Sequence, residues 1–273
     1  MSHIFDWAAG IRVVDRTGDV RDGDVARSFA LDELFGQATG NGGPPVCHLW
    51  RHPRAFVLGT RDSRLPGAAK AVRWLEAQGR SALARSSGGA AVPLDAGVVN
   101  VSLVLPIPEG SRQDFRNDFA RMYDLIRLAA ARHGADVRRG EVAGSYCPGD
   151  FDLSMDGLKF CGIAQRRLLR AMIIQAFVLV EGSGPKRAEL VRSFYDRAAV
   201  GAAPGSYPIV RPEVMTSLAD RRVDGLATAE AFAAAIADIL TKNARSALEP
   251  LAQPDEDAIA GMAMKLRTRY PLG

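Results

Sequence analysis

Cysteine is scarce: three residues, Cys47, Cys147 and Cys161, in a chain of 273. That odd and scattered set excludes a disulfide framework, and it has neither CxxC nor histidine spacing for zinc. Free thiols in a reducing cytoplasm are the expectation. Histidine is equally sparse. His48 and His52 flank Trp50 without a carboxylate motif, and His133 precedes the helix-stopping Gly134, so no metal site is expected. Long apolar runs are missing too; residues 173–180 are too few to span a bilayer, so no membrane contact is expected. The opening MSHIFDWAAG has no basic stretch leading into an apolar one, and no secretory signal is expected there. No block of one charge occurs: 35 Lys and Arg interleave with 31 Asp and Glu for a net +4. With no basic run carrying aromatics, nucleic acid is not an expected partner, while steering toward an acidic protein stays open.

What is present is apolar residue, 47% of the chain, enough to build one large or two modest domains. Asp24 is placed to cap a helix running to about residue 37. VCHLWRHPRAFVLGT predicts two short strands broken at Pro53. Pro66 opens a helix stopped by Gly79, and residues 113–133 carry the best apolar helical stripe. AMIIQAFVLVEG predicts a strand buried on both faces, followed by a helix from Pro185 to about Ala198. Two more helices are expected at 228–245 and 255–267. Strands outnumber crossover helices, which argues for an α+β fold: a mixed sheet with helices packed on it. The expected division is a catalytic domain over 1–205 and a helical C-terminal extension over 206–273.

Chemistry concentrates in GSYCPGDFDLSMDGLKFCGIAQRR, residues 144–167. Asp156-Gly157 predicts a two-residue hairpin turn. A regular register pairs Leu153 with Phe160 and Asp152 with Cys161, and places Asp152, Ser154, Lys159 and Cys161 on one polar face. Cys147 sits at a strand rim in Tyr-Cys-Pro-Gly. A nucleophilic cysteine acts as thiolate and needs a cationic neighbour, for which Lys159 is the candidate. Its ammonium is equally placed to hold an acyl carbonyl. The plainer alternative, a packed cysteine and a solvated lysine, stays open at this point, and packing is the expectation for Cys161. The second stretch, RSSGGAAV from Arg85, is a small-residue loop whose backbone lets a ligand approach closely, and no GK[ST] follows to make it a Walker loop.

Together these two stretches resemble the lipoate–protein ligase and octanoyltransferase superfamily. Within it they are most similar to the octanoyl-[GcvH]:protein N-octanoyltransferase, or lipoyl amidotransferase, branch, over about residues 25–202. LGTRDSRLP at 58–66 and EGSGPKRAELVRSFYDRAAVG at 181–201 extend the similarity. The resemblance implies the biotin/lipoate protein ligase-like catalytic fold, which is like that of class II aminoacyl-tRNA synthetases. It implies transfer of an octanoyl or lipoyl group between GcvH-type and E2 lipoyl-domain lysines through an enzyme thioester, with no cofactor or metal. Cys147 falls on the branch's nucleophile and Lys159 on the superfamily's active-site lysine. Arg85, Ser86, Ser87, Gly88, Gly89 and Ala90 fall on the acyl-binding loop, and Asp152 joins the substrate-binding set. Ser86, Ala90, Pro93 and Cys161 depart from the branch pattern, the first two reshaping the expected acyl pocket. The alternatives are a transferase fed by acyl carrier protein, an ATP-dependent lipoate–protein ligase, and a non-catalytic acyl-binding protein. Arg166, Arg167 and Arg170 are a candidate basic patch for acidic carriers.

Overall fold

The structure, a computed structural model, describes residues 5–110, 114–243 and 251–272. Its first elements are β1 (Arg12–Arg16), α1 (Ala26–Gly40), β2 (Val46–Trp50) and β3 (Arg54–Leu58). Pro53 separates the last two, and they enter different sheets. Then come α2 (Ala68–Glu76), β4 (Ser81–Ala84), β5 (Val92–Asp95), β6 (Val98–Pro106) and α3 (Phe115–Ala131). The chain continues through β7 (Arg138–Arg139), β8 (Leu153–Met155), β9 (Leu158–Arg167), β10 (Ala171–Leu179) and α4 (Gly184–Ala198), and closes with α5 (Ala229–Asn243) and α6 (Glu256–Arg269). The expected helix ends at 113 and at 244–245 lie outside the described residues. Asp114 caps α3, accepting from the Asn117 N–H at 3.0 Å, and Ser183 caps α4 through Lys186.

The larger sheet has seven strands in the order β1-β2-β6-β10-β9-β8-β7. Its β1–β2 pair is parallel and the rest antiparallel, so the sheet is mixed. The smaller sheet is β4-β3-β5. Strand β10 lies centrally, and its alternate residues feed two cores: Ile173, Phe177 and Leu179 one, Ile174, Ala176 and Val178 the other. The first core is closed by α1, α2, α4, α6 and the small sheet, the second by α3 and α5.

The hairpin turns at Asp156-Gly157, and Ser154 faces Lys159 as expected. One step further the register differs. Leu153 pairs with Cys161, not with Phe160, because β9 carries one extra residue there. The bulge turns Cys161 into the second core beside Leu153 and Phe160, on the face of the sheet opposite Lys159. Cys161 is therefore a packing residue, and it does not share the lysine's face.

The expected division near residue 205 runs through the packing. Where β10 ends, Met215 pairs in parallel with Lys159, and the Thr216 N–H donates to the Lys159 carbonyl at 2.9 Å. Leu218, Leu226, Phe232, Ile236 and Leu240 then complete the second core.

Candidate active site

Between the two sheets lies a narrow pocket of about 410 Å³ including its mouth. The small sheet contributes Val57, Val92 and Leu94, α1 contributes Phe29, and the large sheet contributes Phe177 and Ala164. Cys147 and Arg85 line the same pocket. Gly162 keeps it open, since a Cβ there would sit 2.6 Å from the Phe177 ring. Its lining is mainly apolar with a few polar groups, the character of a small-molecule site.

Cys147 has φ of 48°, in the left-handed region that side chains other than glycine rarely adopt. What holds it there is Lys159. The Nζ of Lys159 donates to the carbonyls of Tyr146 at 2.8 Å and Cys147 at 2.6 Å, and pairs with Asp152 Oδ1 at 2.8 Å. All four residues are buried, Lys159 and Tyr146 completely. Burial pushes the Asp152 carboxyl above its ordinary range, against the pull of the Lys159 charge. Asp152 also accepts from Ser145 Oγ and the Gly149 N–H, so it knits the turn on both sides of the cysteine. Lys159 thus reaches the backbone of Cys147; its hydrogen bonds do not include the sulfur.

The sulfur is held from the other side. Arg85 Nη2 donates to Cys147 Sγ at 3.2 Å, and the Ala90 N–H donates to it at 3.2 Å. Gly89, with φ of 96°, makes this approach possible, because a Cβ there would lie 2.6 Å from Arg85 Nη2 and 2.7 Å from Sγ. Gly88 is open to solvent and Ser87 is buried. Ser86 lines a neighbouring cavity with Arg85, Glu33 and Arg166, and neither Ser86 nor Ala90 lines the apolar pocket. The two substitutions that were expected to reshape that pocket act beside it. Arg166 pairs with Glu33 at 2.6 Å and Arg167 with Asp118 at 3.1 Å, which leaves Arg170 as the exposed member of the expected patch.

Two groups escaped the sequence reading. Tyr195 accepts from the Ala91 N–H at 3.2 Å and donates to Asp62 Oδ1 at 2.9 Å, bracing the glycine loop from behind. Burial, then the Asp62 charge, pushes the Tyr195 hydroxyl well above its ordinary pKa and keeps it a donor. Asp62 lies in the LGTRDSRLP stretch, whose only signal was resemblance. The second group is a polar row across the sheet floor. Asp32 Oδ1 meets His48 Nδ1 at 2.8 Å, and Oδ2 accepts from Ser102 and Gln175 at 2.7 Å each. His48, Ser102 and Gln175 are direct neighbours on three adjacent strands. No three-residue metal cluster exists among the described residues.

The site thus sets a cysteine and an arginine at the wall of a largely apolar pocket between two sheets. The chain belongs to the lipoyl protein ligase A/B catalytic domain family, whose model matches residues 24–240. It is 41% identical, over 77% of its length and 76% of the relative's, to the octanoyl-[GcvH]:protein N-octanoyltransferase of Anoxybacillus flavithermus. The protein of that name from Geobacillus kaustophilus is 40% identical over 81% of this chain and 78% of its own. In three dimensions the chain resembles lipoate-protein ligase A bound with ATP (TM-score 0.69, 18% identity, 96% of this chain and 94% of that one). It likewise resembles the T. acidophilum protein Ta0514 with bound lipoic acid (TM-score 0.67, 17% identity, 96% and 95% coverage). At those identities the likeness establishes the fold, the α+β ligase architecture expected from the sequence.

Proposed function

We propose that this protein moves an octanoyl group from a lysine of a GcvH-type carrier to a lysine of another lipoyl domain, through a thioester on Cys147. The observation that carries the reading is the placement of Cys147 Sγ at the wall of the apolar pocket, within hydrogen-bond reach of Arg85. The names of the relatives at about 40% identity support the donor class. In the first half-reaction the thiol gives its proton to solvent, Sγ attacks the acyl carbonyl, the C–N bond to the donor lysine breaks, and the departing nitrogen takes up a proton from solvent. In the second, the acceptor amine attacks the thioester, the C–S bond breaks with sulfur leaving as the thiolate, and the amine proton passes to solvent. An amide is exchanged for an amide, so the reaction calls for neither ATP nor a resident cofactor. Asp152 and Lys159 fix the turn that presents the thiol, and the loop at Arg85, Ser86, Ser87, Gly88, Gly89 and Ala90 forms the opposite lip. The three unpaired thiols suit a reducing cytoplasm, where we place the reaction. No described helix is long and apolar enough to cross a membrane.

Intact-mass spectrometry without ATP tests the proposal. Octanoyl-GcvH is expected to leave a hydroxylamine-labile octanoyl adduct that Cys147→Ala abolishes. An adduct from octanoyl-acyl carrier protein alone would reassign the donor. No adduct from either, with transfer appearing only once ATP and free octanoate are supplied, would overturn the thioester route.

A further inference from the structure

We infer that Arg85 is a catalytic residue of this reaction: its guanidinium, with the Ala90 N–H, binds the sulfur of Cys147 as the anion that attacks in one half-reaction and departs in the other. The inference rests on the thioester reading above and assigns a role within it. Four observations carry it. First, the backbone of Arg85 is fixed, its N–H donating to the Leu58 carbonyl of the small sheet at 2.9 Å, and the side chain is 7% exposed. Second, Nη2 is aimed by a bond to the Ala90 carbonyl at 2.9 Å and reaches Sγ at 3.2 Å. Third, the Ala90 N–H reaches the same sulfur at 3.2 Å, so Sγ accepts from two donors that belong to one loop. Fourth, the other nearby cation is committed elsewhere, since Lys159 Nζ holds Asp152 and the carbonyls of Tyr146 and Cys147.

The chemistry follows from what a guanidinium is. It stays charged at every working pH and presents fixed donors, so the charge facing the sulfur does not depend on a proton being lost or gained. Sulfur carries its fullest negative charge twice, just before it attacks the donor amide and just after the C–S bond of the thioester breaks. A donor pair prearranged around that atom favours both moments, as preorganised donors do wherever charge develops. The lysine that the sequence singled out then works through the backbone, and the arginine of the glycine loop works on the reacting atom.

Arg85→Gln and Arg85→Lys test this, with octanoyl-enzyme formation and its discharge to a lipoyl domain followed separately by rapid-quench intact mass. Iodoacetamide labelling of the substrate-free protein is the second readout. Burial pushes the thiols of Cys47 and Cys161 far up, so labelling reports Cys147. Arg85→Gln is expected to slow acylation, discharge and labelling together, each half-reaction by about 100-fold or more. The carrier concentration for half-maximal rate should stay near the wild-type value. Arg85→Lys should recover part of the rate, and it carries the test alone should Arg85→Gln lose its circular-dichroism signature. Wild-type labelling and wild-type half-reaction rates in a folded variant would overturn the assignment. Absence of octanoyl-enzyme in the wild-type protein would instead overturn the thioester reading, and the labelling comparison would still decide whether Arg85 acts on the sulfur.

Discussion

At the scale of single residues, the unusual choice is a fully buried lysine. Lys159 is 0% exposed and Asp152 1%. Such a pair repays its desolvation only with good geometry and further hydrogen bonds, and here the two carbonyls supply them. Removing one partner leaves the other charge buried and alone. Lys159→Ala is therefore expected to lower stability in urea by about 3–5 kcal/mol. In a double-mutant cycle, Lys159→Ala with Asp152→Ala should cost clearly less than the sum of the two single changes. Additive costs would show that the pair is not a unit. Because Lys159 also bends the Cys147 backbone, lost activity in Lys159→Ala does not by itself mark a proton-transfer role.

At the scale of elements, the local signals in the sequence were legible and the long-range ones were not. Asp156-Gly157 specified the turn, Asp24 accepts from the Ala26 N–H where α1 begins, Pro185 lies in the first turn of α4, and Pro53 divides two strands. The bulge at Phe160 was not legible, because the neighbour of β9 at that point is Met215, more than fifty residues on. The Arg85–Cys147 contact spans 62 residues and was hidden for the same reason. A resemblance can name both residues without showing that they touch. Helix α6 offers an element-level prediction. It packs on α1 through Ile259, Ala263 and Leu266, and Arg267 Nε donates to Asp24 Oδ2 at 2.8 Å. Burial pushes the Asp24 carboxyl up, but the Arg267 and Ala26 hydrogen bonds hold it below its ordinary value. A carboxyl lowered in the folded state stabilises above its unfolded pKa of about 3.9 and loses that contribution as pH falls through the folded value. Hydrogen-exchange protection of 256–269 should then drop between about pH 6 and pH 3 more than that of β10, and Arg267→Ala should remove the difference. Equal protection across that range would show that Asp24 does not pin the helix.

At the scale of the whole molecule, the site depends on residues well beyond the two stretches that carry its chemistry. Thr216 supports Lys159 from one side, and six large apolar side chains between Leu218 and Leu240 are buried completely. At about 1.5–3 kcal/mol for each buried apolar side chain, that set rivals the ~5–15 kcal/mol net stability of an ordinary domain. A chain ending at 205 is expected to lack a cooperative unfolding transition, whereas one ending at 243 should retain it. A folded 1–205 fragment would show that the catalytic portion stands alone. One feature of the assembled site sets a rule for its visitors. Cys147 is only 8% exposed, sunk between a glycine loop and a proline turn. A folded carrier surface cannot follow it down; an extended side chain can. In the proposed reaction the depth of the sulfur therefore works as a ruler, selecting by the reach of the arm that bears the acyl group.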